Sequence, residues 1–193
     1  FIGDDDVCLV LGDNVFYGSG LSNLLQSSLK RTLNEKVATV FGYYVTDPEN
    51  YGVLEFDNKN KVLSIQEKPK YPKSNFAVVG LYFYPNDVIE ISKNVKPSIR
   101  GEYEISSINE VYLKRENINV QILGRGYSWL DTGTHKSLLE ASNFIHTIEK
   151  HSGFKVACLE EIAFKMGFIN KTKLKNLILS LEKTEYGKYL KTI

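Results

Sequence analysis

The chain has 193 residues, of which 42% are hydrophobic and 24% charged, enough for one domain with a sizeable buried core. Lys+Arg at 24 against Asp+Glu at 23 leaves a net charge of +1, so nothing drives the chain electrostatically toward nucleic acid or a membrane, and neither is an expected partner. No apolar run approaches the ~18–20 residues of a membrane span and no secretory signal opens the chain, which predicts a cytoplasmic location. Cys8 and Cys158 accordingly read as reduced core residues rather than a disulfide framework.

Phe1–Asp6 runs abruptly into an apolar segment, an opening that reads as a fragment or processed product whose upstream part is missing. Val7–Leu11 is a short continuous apolar run and predicts a central strand covered on both faces. Leu21, Leu24, Leu25 and Leu29 recur at helical spacing and predict a helix to about Thr32. Val37–Val45 is the next strand, ended by Asp47-Pro48. Gly52–Asp57 and Lys61–Glu67 form a hairpin around Asn58-Lys59-Asn60. Phe76–Tyr84 is almost wholly apolar or aromatic and is the strongest strand in the sequence, followed by a helix from Pro85 to about Asn94. A helix is predicted over Glu104–Arg115, short strands over Val120–Leu123 and Tyr127–Leu130, and a long helix from Thr134 to about Lys150, capped by Thr132 or Thr134. Short helices follow near Leu159–Met166, Lys171–Leu181 and Thr184–Leu190. The resulting division is a catalytic-type α/β region over 1–152 and a helical appendage over 153–193.

Two lone carboxylates carry most of the chemical signal. Asp13 and Asp131 each stand where an apolar stretch breaks off, the place where ligand-facing carboxylates sit in an open α/β sheet. Either alone reads as turn or capping chemistry. Converging on one spot, they would make a hard oxygen site of the kind Mg²⁺ prefers. Lys68, just before Pro69, is either a solvated charge paired with Glu67 or a cation aimed at a phosphate. Gly52 ends a turn and would let a ligand approach the main chain. Arg100 is a loop arginine within reach of a phosphate or sugar, though a solvated loop position is the reading it favours. The histidines show no zinc spacing, and there is no Gly-x-Ser-x-Gly elbow.

Taken in order, Leu11-Gly12-Asp13-Asn14-Val15-Phe16-Tyr17-Gly18, Asp47-Pro48-Glu49-Asn50-Tyr51-Gly52-Val53, Glu67-Lys68-Pro69, Gly80-Leu81-Tyr82-Phe83-Tyr84, Arg100-Gly101-Glu102 and Trp129-Leu130-Asp131-Thr132-Gly133-Thr134-His135 resemble the glucose-1-phosphate thymidylyltransferase family. The resemblance implies a three-layer Rossmann-like mixed sheet of the nucleotide-sugar transferase type, truncated at its N-terminus, with a C-terminal helical appendage. It also implies a Mg²⁺-dependent transferase joining dTTP to glucose 1-phosphate for dTDP-L-rhamnose and other deoxysugars. Asp13 and Asp131 resemble the metal-binding aspartates, Lys68 the lysine on the sugar phosphate, and Glu67 the acid that bonds sugar hydroxyls. Tyr51 and Gly52 resemble sugar or phosphate neighbours, with Val78, Tyr82, Arg100 and Trp129 as further pocket residues. A homotetramer with a second, regulatory nucleotide site is implied, to which Tyr17, Gly18, Arg125 and Glu161 would belong. The largest departure from the family is that its glycine-rich Leu-Ala-Gly-Gly-x-Gly-Thr-Arg-Leu loop does not occur in this chain, so the chain by itself is expected to be inactive; a smaller one is Gln66, where members often have glutamate. The alternatives are a sugar-1-phosphate nucleotidyltransferase using another base, such as a UTP–glucose-1-phosphate uridylyltransferase, and a non-catalytic regulatory or assembly piece.

Overall fold

A computed structural model describes all of residues 1–193 and divides them into two compact units, Phe1–Gly133 and Thr134–Ile193. The packing therefore divides at Gly133/Thr134, whereas the sequence places the division at residue 152.

The first unit is built on β6 (Phe76–Tyr84), the nine-residue segment predicted from its sequence. Its near-continuous apolarity has a simple cause: both faces are covered. Ala77, Val79, Leu81 and Phe83 enter one core with Phe41, Leu123 and Trp129, against which Leu24 and Leu25 of α1 (Leu21–Glu35) pack. Val78, Tyr82 and Tyr84 enter the other core with Ala38, Val40, Leu54 and Tyr112, backed by α2 (Val88–Asn94) and α3 (Ile105–Lys114). A period of two assigns alternate side chains to the two layers. Helix, sheet and helix thus make three layers.

The remaining strands are β1 (Val7–Val10), β2 (Asn14–Gly18), β3 (Ala38–Tyr44), β4 (Gly52–Phe56), β5 (Val62–Glu67), β7 (Ile118–Leu123) and β8 (Tyr127–Asp131). The main sheet runs β5-β4-β6-β3-β7, with β1 alongside β6. Only β3 and β7 pair in parallel; the other pairs of this sheet are antiparallel, so it is mixed as expected. Since β3 lines one edge of β6 along most of its length, β1 and β4 must share the other edge. Leu81, Tyr82, Phe83 and Tyr84 pair with β1, and Ala77 pairs with β4. Between them the edge stands open at Val78–Gly80.

Four expectations need correction. β1 is not a central strand: β6 is its one paired neighbour, and Cys8 and Val10 are exposed while Val7 and Leu9 pack on the core. Cys8 is consequently not a core thiol, although Cys158 is buried as expected and both cysteines are free. A continuous apolar run in sequence does not say which of its alternate side chains will be covered. Strand β2 has no counterpart among the predicted elements, because Asn14 and the two flanking Gly-containing segments look like turn chemistry; pairing with β8 makes it a strand. α1 also runs one turn beyond Thr32, to Glu35, and ends where Lys36 turns left-handed at φ 55°.

The second unit is helical: α4 (His135–Ser152), α5 (Leu159–Lys165), α6 (Lys171–Leu181) and α7 (Glu185–Leu190). Thr134, not Thr132, caps α4 through a reciprocal capping box with Ser137, an arrangement worth about 1 kcal/mol. Cys158, Leu174 and Leu190 are buried apolar residues of this unit. No helix of the structure is long and apolar enough to cross a membrane.

Candidate active site

The open edge of β6 is filled by the Leu11–Asn14 loop. Leu11 N–H donates to the Gly80 carbonyl at 2.9 Å, and Gly80 N–H donates to Asn14 Oδ1 at 3.0 Å. A Cβ at Gly80 would stand 2.6 Å from that Oδ1 and 2.7 Å from Leu11, so only glycine admits the loop here. Asn14 Oδ1 also accepts the Trp129 indole N–H at 2.6 Å, while Asn14 Nδ2 donates to Asp13 Oδ1 at 2.8 Å. One amide therefore ties β6, β8 and the first carboxylate together.

Strand β2 performs the convergence that the sequence could only suppose. Its register sets Asn14 opposite Asp131, and Thr132 locks the join by donating both its N–H and its hydroxyl to the Asp13 carbonyl at 2.8 Å. Both carboxylates reach one point: a Cβ on Gly133 would be 3.1 Å from Asp131 Oδ1 and 3.8 Å from Asp13 Oδ2. Each commits one oxygen to its own loop, Asp131 Oδ1 accepting the Gly133 N–H at 2.9 Å. The second oxygens take no protein donor. Two hard oxygens with spare lone pairs fit a divalent cation that completes its shell with substrate oxygens and water. No third acid, histidine or cysteine joins them.

These groups rim a cleft of about 200 Å³. Asp13, Asp131, Lys68, Tyr51, Gly52, Glu67, Val78, Tyr82 and Trp129 all line it, so nine of the residues singled out from sequence share one site. Glu67 ends β5 opposite Gly52 and accepts the Ser106 hydroxyl of α3 at 2.7 Å on Oε2. A Cβ at Gly52 would approach that oxygen to 3.3 Å. Lys68 forms no ion pair with Glu67 or any other carboxylate. Its N–H donates to Tyr51 O at 2.9 Å, and its backbone is left-handed at φ 41° although it precedes Pro69, a position that favours extended backbone. Such strain costs on the order of 1–3 kcal/mol and persists where the surroundings fix it. Tyr51 packs edge-on against Trp129 at 5.2 Å; burial, then the Asp47 and Asp131 carboxylates, pushes its phenol up. Burial and then Glu67 do the same to Tyr82, leaving both hydroxyls neutral.

Arg100 is not part of the cleft. Its guanidinium pairs with Glu102 at 3.1 Å and Glu104 at 3.5 Å, just ahead of the helix that does line the site. Tyr17 and Gly18 lie at the far end of the β2–β8 ribbon, near the turn carrying Arg125; a Cβ at Gly18 would press on Tyr127. Glu161 belongs to the second unit, where it pairs with Lys165 and accepts the Tyr189 hydroxyl. Sequence reasoning missed Asn14, Gly80, Ser106 and Asn109. Asn109 is fully buried; its Oδ1 accepts the Tyr84 hydroxyl at 2.6 Å, yet its Nδ2 has no partner. A buried orphan donor ordinarily costs about 1–3 kcal/mol.

The mixed three-layer fold is that of sugar-nucleotide nucleotidyltransferases. A solved structure from Bacillus anthracis, assigned as a glucose-1-phosphate thymidylyltransferase and holding a sucrose, superposes with a TM-score of 0.62 at 38% identity, covering 74% of this chain and 55% of that one. A UDP-glucose pyrophosphorylase at 22% identity shares the fold, with a TM-score of 0.65 over 77% of this chain and 56% of its own. The Nucleotidyl transferase family model matches residues 1–148, and the chain belongs to that family. Its relatives include glucose-1-phosphate thymidylyltransferases of Neisseria meningitidis (50% identical over 98% of this chain and 65% of the relative) and Xanthomonas campestris (52%, over 98% and 63%). The chain thus spans about 65% of the length of the Neisseria relative.

Proposed function

We propose that this chain serves glucose-1-phosphate thymidylyl transfer: a phosphate oxygen of glucose 1-phosphate attacks the α-phosphorus of dTTP, the new O–P bond forms, the bond to the β-phosphate oxygen breaks, and pyrophosphate leaves. The observation that carries the reading is the convergence of Asp13 and Asp131 beside an unpaired Lys68 in one cleft. The nucleophile is already anionic, so no general base is required. The obstacle is repulsion: two like unit charges at ~4 Å repel by ~4 kcal/mol at an effective dielectric of about 20. Lys68 offsets this at the sugar phosphate, and its strained backbone holds the ammonium side of the site in place. Gly52 admits the ligand to the main chain, and Glu67 offers its remaining oxygen to a hydroxyl. Mg²⁺ on Asp13 and Asp131, when bound, would neutralise phosphate charge and orient the reactants.

By the same resemblance we assign the product to deoxysugar synthesis and the activity to a homotetramer. The test is to incubate the protein, as its gene expresses it, with glucose 1-phosphate, Mg²⁺ and each of dTTP, UTP, CTP and ATP, and to follow pyrophosphate. Release with dTTP well above the others is expected; release with none of them overturns the reading. These 193 residues contain no glycine-rich cradle for a triphosphate, so titration of the isolated chain with dTTP is expected to show no micromolar binding.

A further inference from the structure

The floor of the cleft holds one polar group that nothing in the protein uses. Ser106 and Asn109 stand three residues apart on α3 and so share a helix face, which together with Ile105 lines the cleft. Ser106 donates its hydroxyl to Glu67 Oε2. Asn109 lines the cleft and turns Oδ1 toward Tyr84, which does not, while its buried Nδ2 has no acceptor within the protein. The amide is held firmly: Tyr84 stacks on Tyr82 at 5.7 Å and on Tyr112 at 5.6 Å, and the Tyr112 hydroxyl donates to Asp87 at 2.6 Å. A donor this rigid and this well shielded from water is matched to an oxygen that arrives with a ligand.

We propose that Asn109 is a specificity-determining residue, whose Nδ2 donates to a hydroxyl oxygen of the sugar while that same hydroxyl donates its proton to Glu67. The chemistry of the pair selects the group. Glu67 has one carboxylate oxygen left and can only accept; Asn109 Nδ2 can only donate. A hydroxyl answers both at once, whereas a carbonyl, a hydrogen or a fluorine leaves Glu67 without a donor. The proposal rests on reading the cleft as a sugar-phosphate site and adds the residue that discriminates among sugars there.

The test compares glucose 1-phosphate with its 2-, 3-, 4- and 6-deoxy analogues in the wild-type gene product, in Asn109→Ala and in Asn109→Ser. We expect either substitution to raise KM for glucose 1-phosphate about 10-fold, with kcat changed less than about 3-fold, the loss expected of one hydrogen bond. Against one deoxy analogue, the one lacking the bonded hydroxyl, the penalty should shrink below about 3-fold. Tyr84→Phe removes the partner of Oδ1 but leaves the donor, so its ratio of parent to analogue should stay near wild type. An equal penalty for every sugar, or none for any, overturns the proposal. A measurement without substitution guards against misfolding: the Asn109 side-chain NH₂ resonance in the wild type should shift with glucose 1-phosphate and not with inorganic phosphate, and an unmoved resonance also overturns it. Failure of the cleft reading looks different, since the wild type would then show no saturation by glucose 1-phosphate.

Discussion

Two hollows in the first unit differ in a way that bears on how a site is recognised. The larger is a groove of about 830 Å³ between the β4–β5 hairpin, the end of α3 and β7, and its charges neutralise one another: Lys61 pairs with Glu116 at 3.3 Å and Lys114 with Glu110 at 3.0 Å. The cleft is about 200 Å³, yet it keeps an unpaired lysine, two half-used carboxylates and an orphan amide. Volume favours the groove. Unsatisfied polar groups favour the cleft, because leaving such groups idle destabilises a folded chain, and a ligand from outside is what can satisfy them.

The sharpest way to break this contrast is to remove one carboxylate. In the protein as its gene expresses it, Asp131→Asn keeps the Gly133 N–H acceptor and nearly the same shape, so the fold should hold, while Mg²⁺-dependent turnover should fall by about 10³-fold or more. Retention of full activity with unchanged metal dependence would remove the metal assignment. Lys68→Ala should come next, lowering kcat/KM for glucose 1-phosphate by about 10²-fold; because the lysine pairs with no acid and alanine keeps the same left-handed backbone, its loss should leave the melting temperature nearly level. A large drop in stability would mean that Lys68 holds structure rather than phosphate.

Gly80→Ala tests the scaffold rather than the chemistry. The added methyl would collide with Asn14 Oδ1 and Leu11, at a cost of about 1–3 kcal/mol, and it should loosen Asp13 through Asn14. Both stability and turnover should therefore fall, in contrast to the aspartate variant, in which turnover alone falls. A Gly80→Ala protein of wild-type stability would show that the loop docks on β6 less tightly than these distances require.

What can be read from the sequence follows from the same physics. Phe76–Tyr84 is legible because a strand covered on both faces has no polar alternation to blur it, and Asp13 and Asp131 because each ends an apolar run. β2 is not legible: Asn14–Gly18 has all five residues half-buried, and pairing with β8, more than a hundred residues away, defines it. Asn109 is invisible for a related reason. On a helix of ordinary amphipathic pattern an asparagine reads as a solvated position, and only the Tyr84 hydroxyl on its oxygen and the missing acceptor at its nitrogen give it meaning. Arg100 misleads in the opposite direction, a motif residue whose charge is neutralised by Glu102 and Glu104.

The smallest expected effect belongs to the groove and closes the comparison from the other side. Lys61 and Glu116 are both largely exposed, so their ion pair is well screened and worth at most about 1 kcal/mol. Lys61→Ala should therefore change turnover by less than about 2-fold and lower the melting temperature by no more than a few degrees, with the difference fading as salt is raised. A turnover loss approaching that of Lys68→Ala would mean that the groove communicates with the chemistry, since an exposed pair so weak has no other route to it. The two lysines thus form a matched pair for the test: the paired one is expected to be dispensable and the unpaired one required.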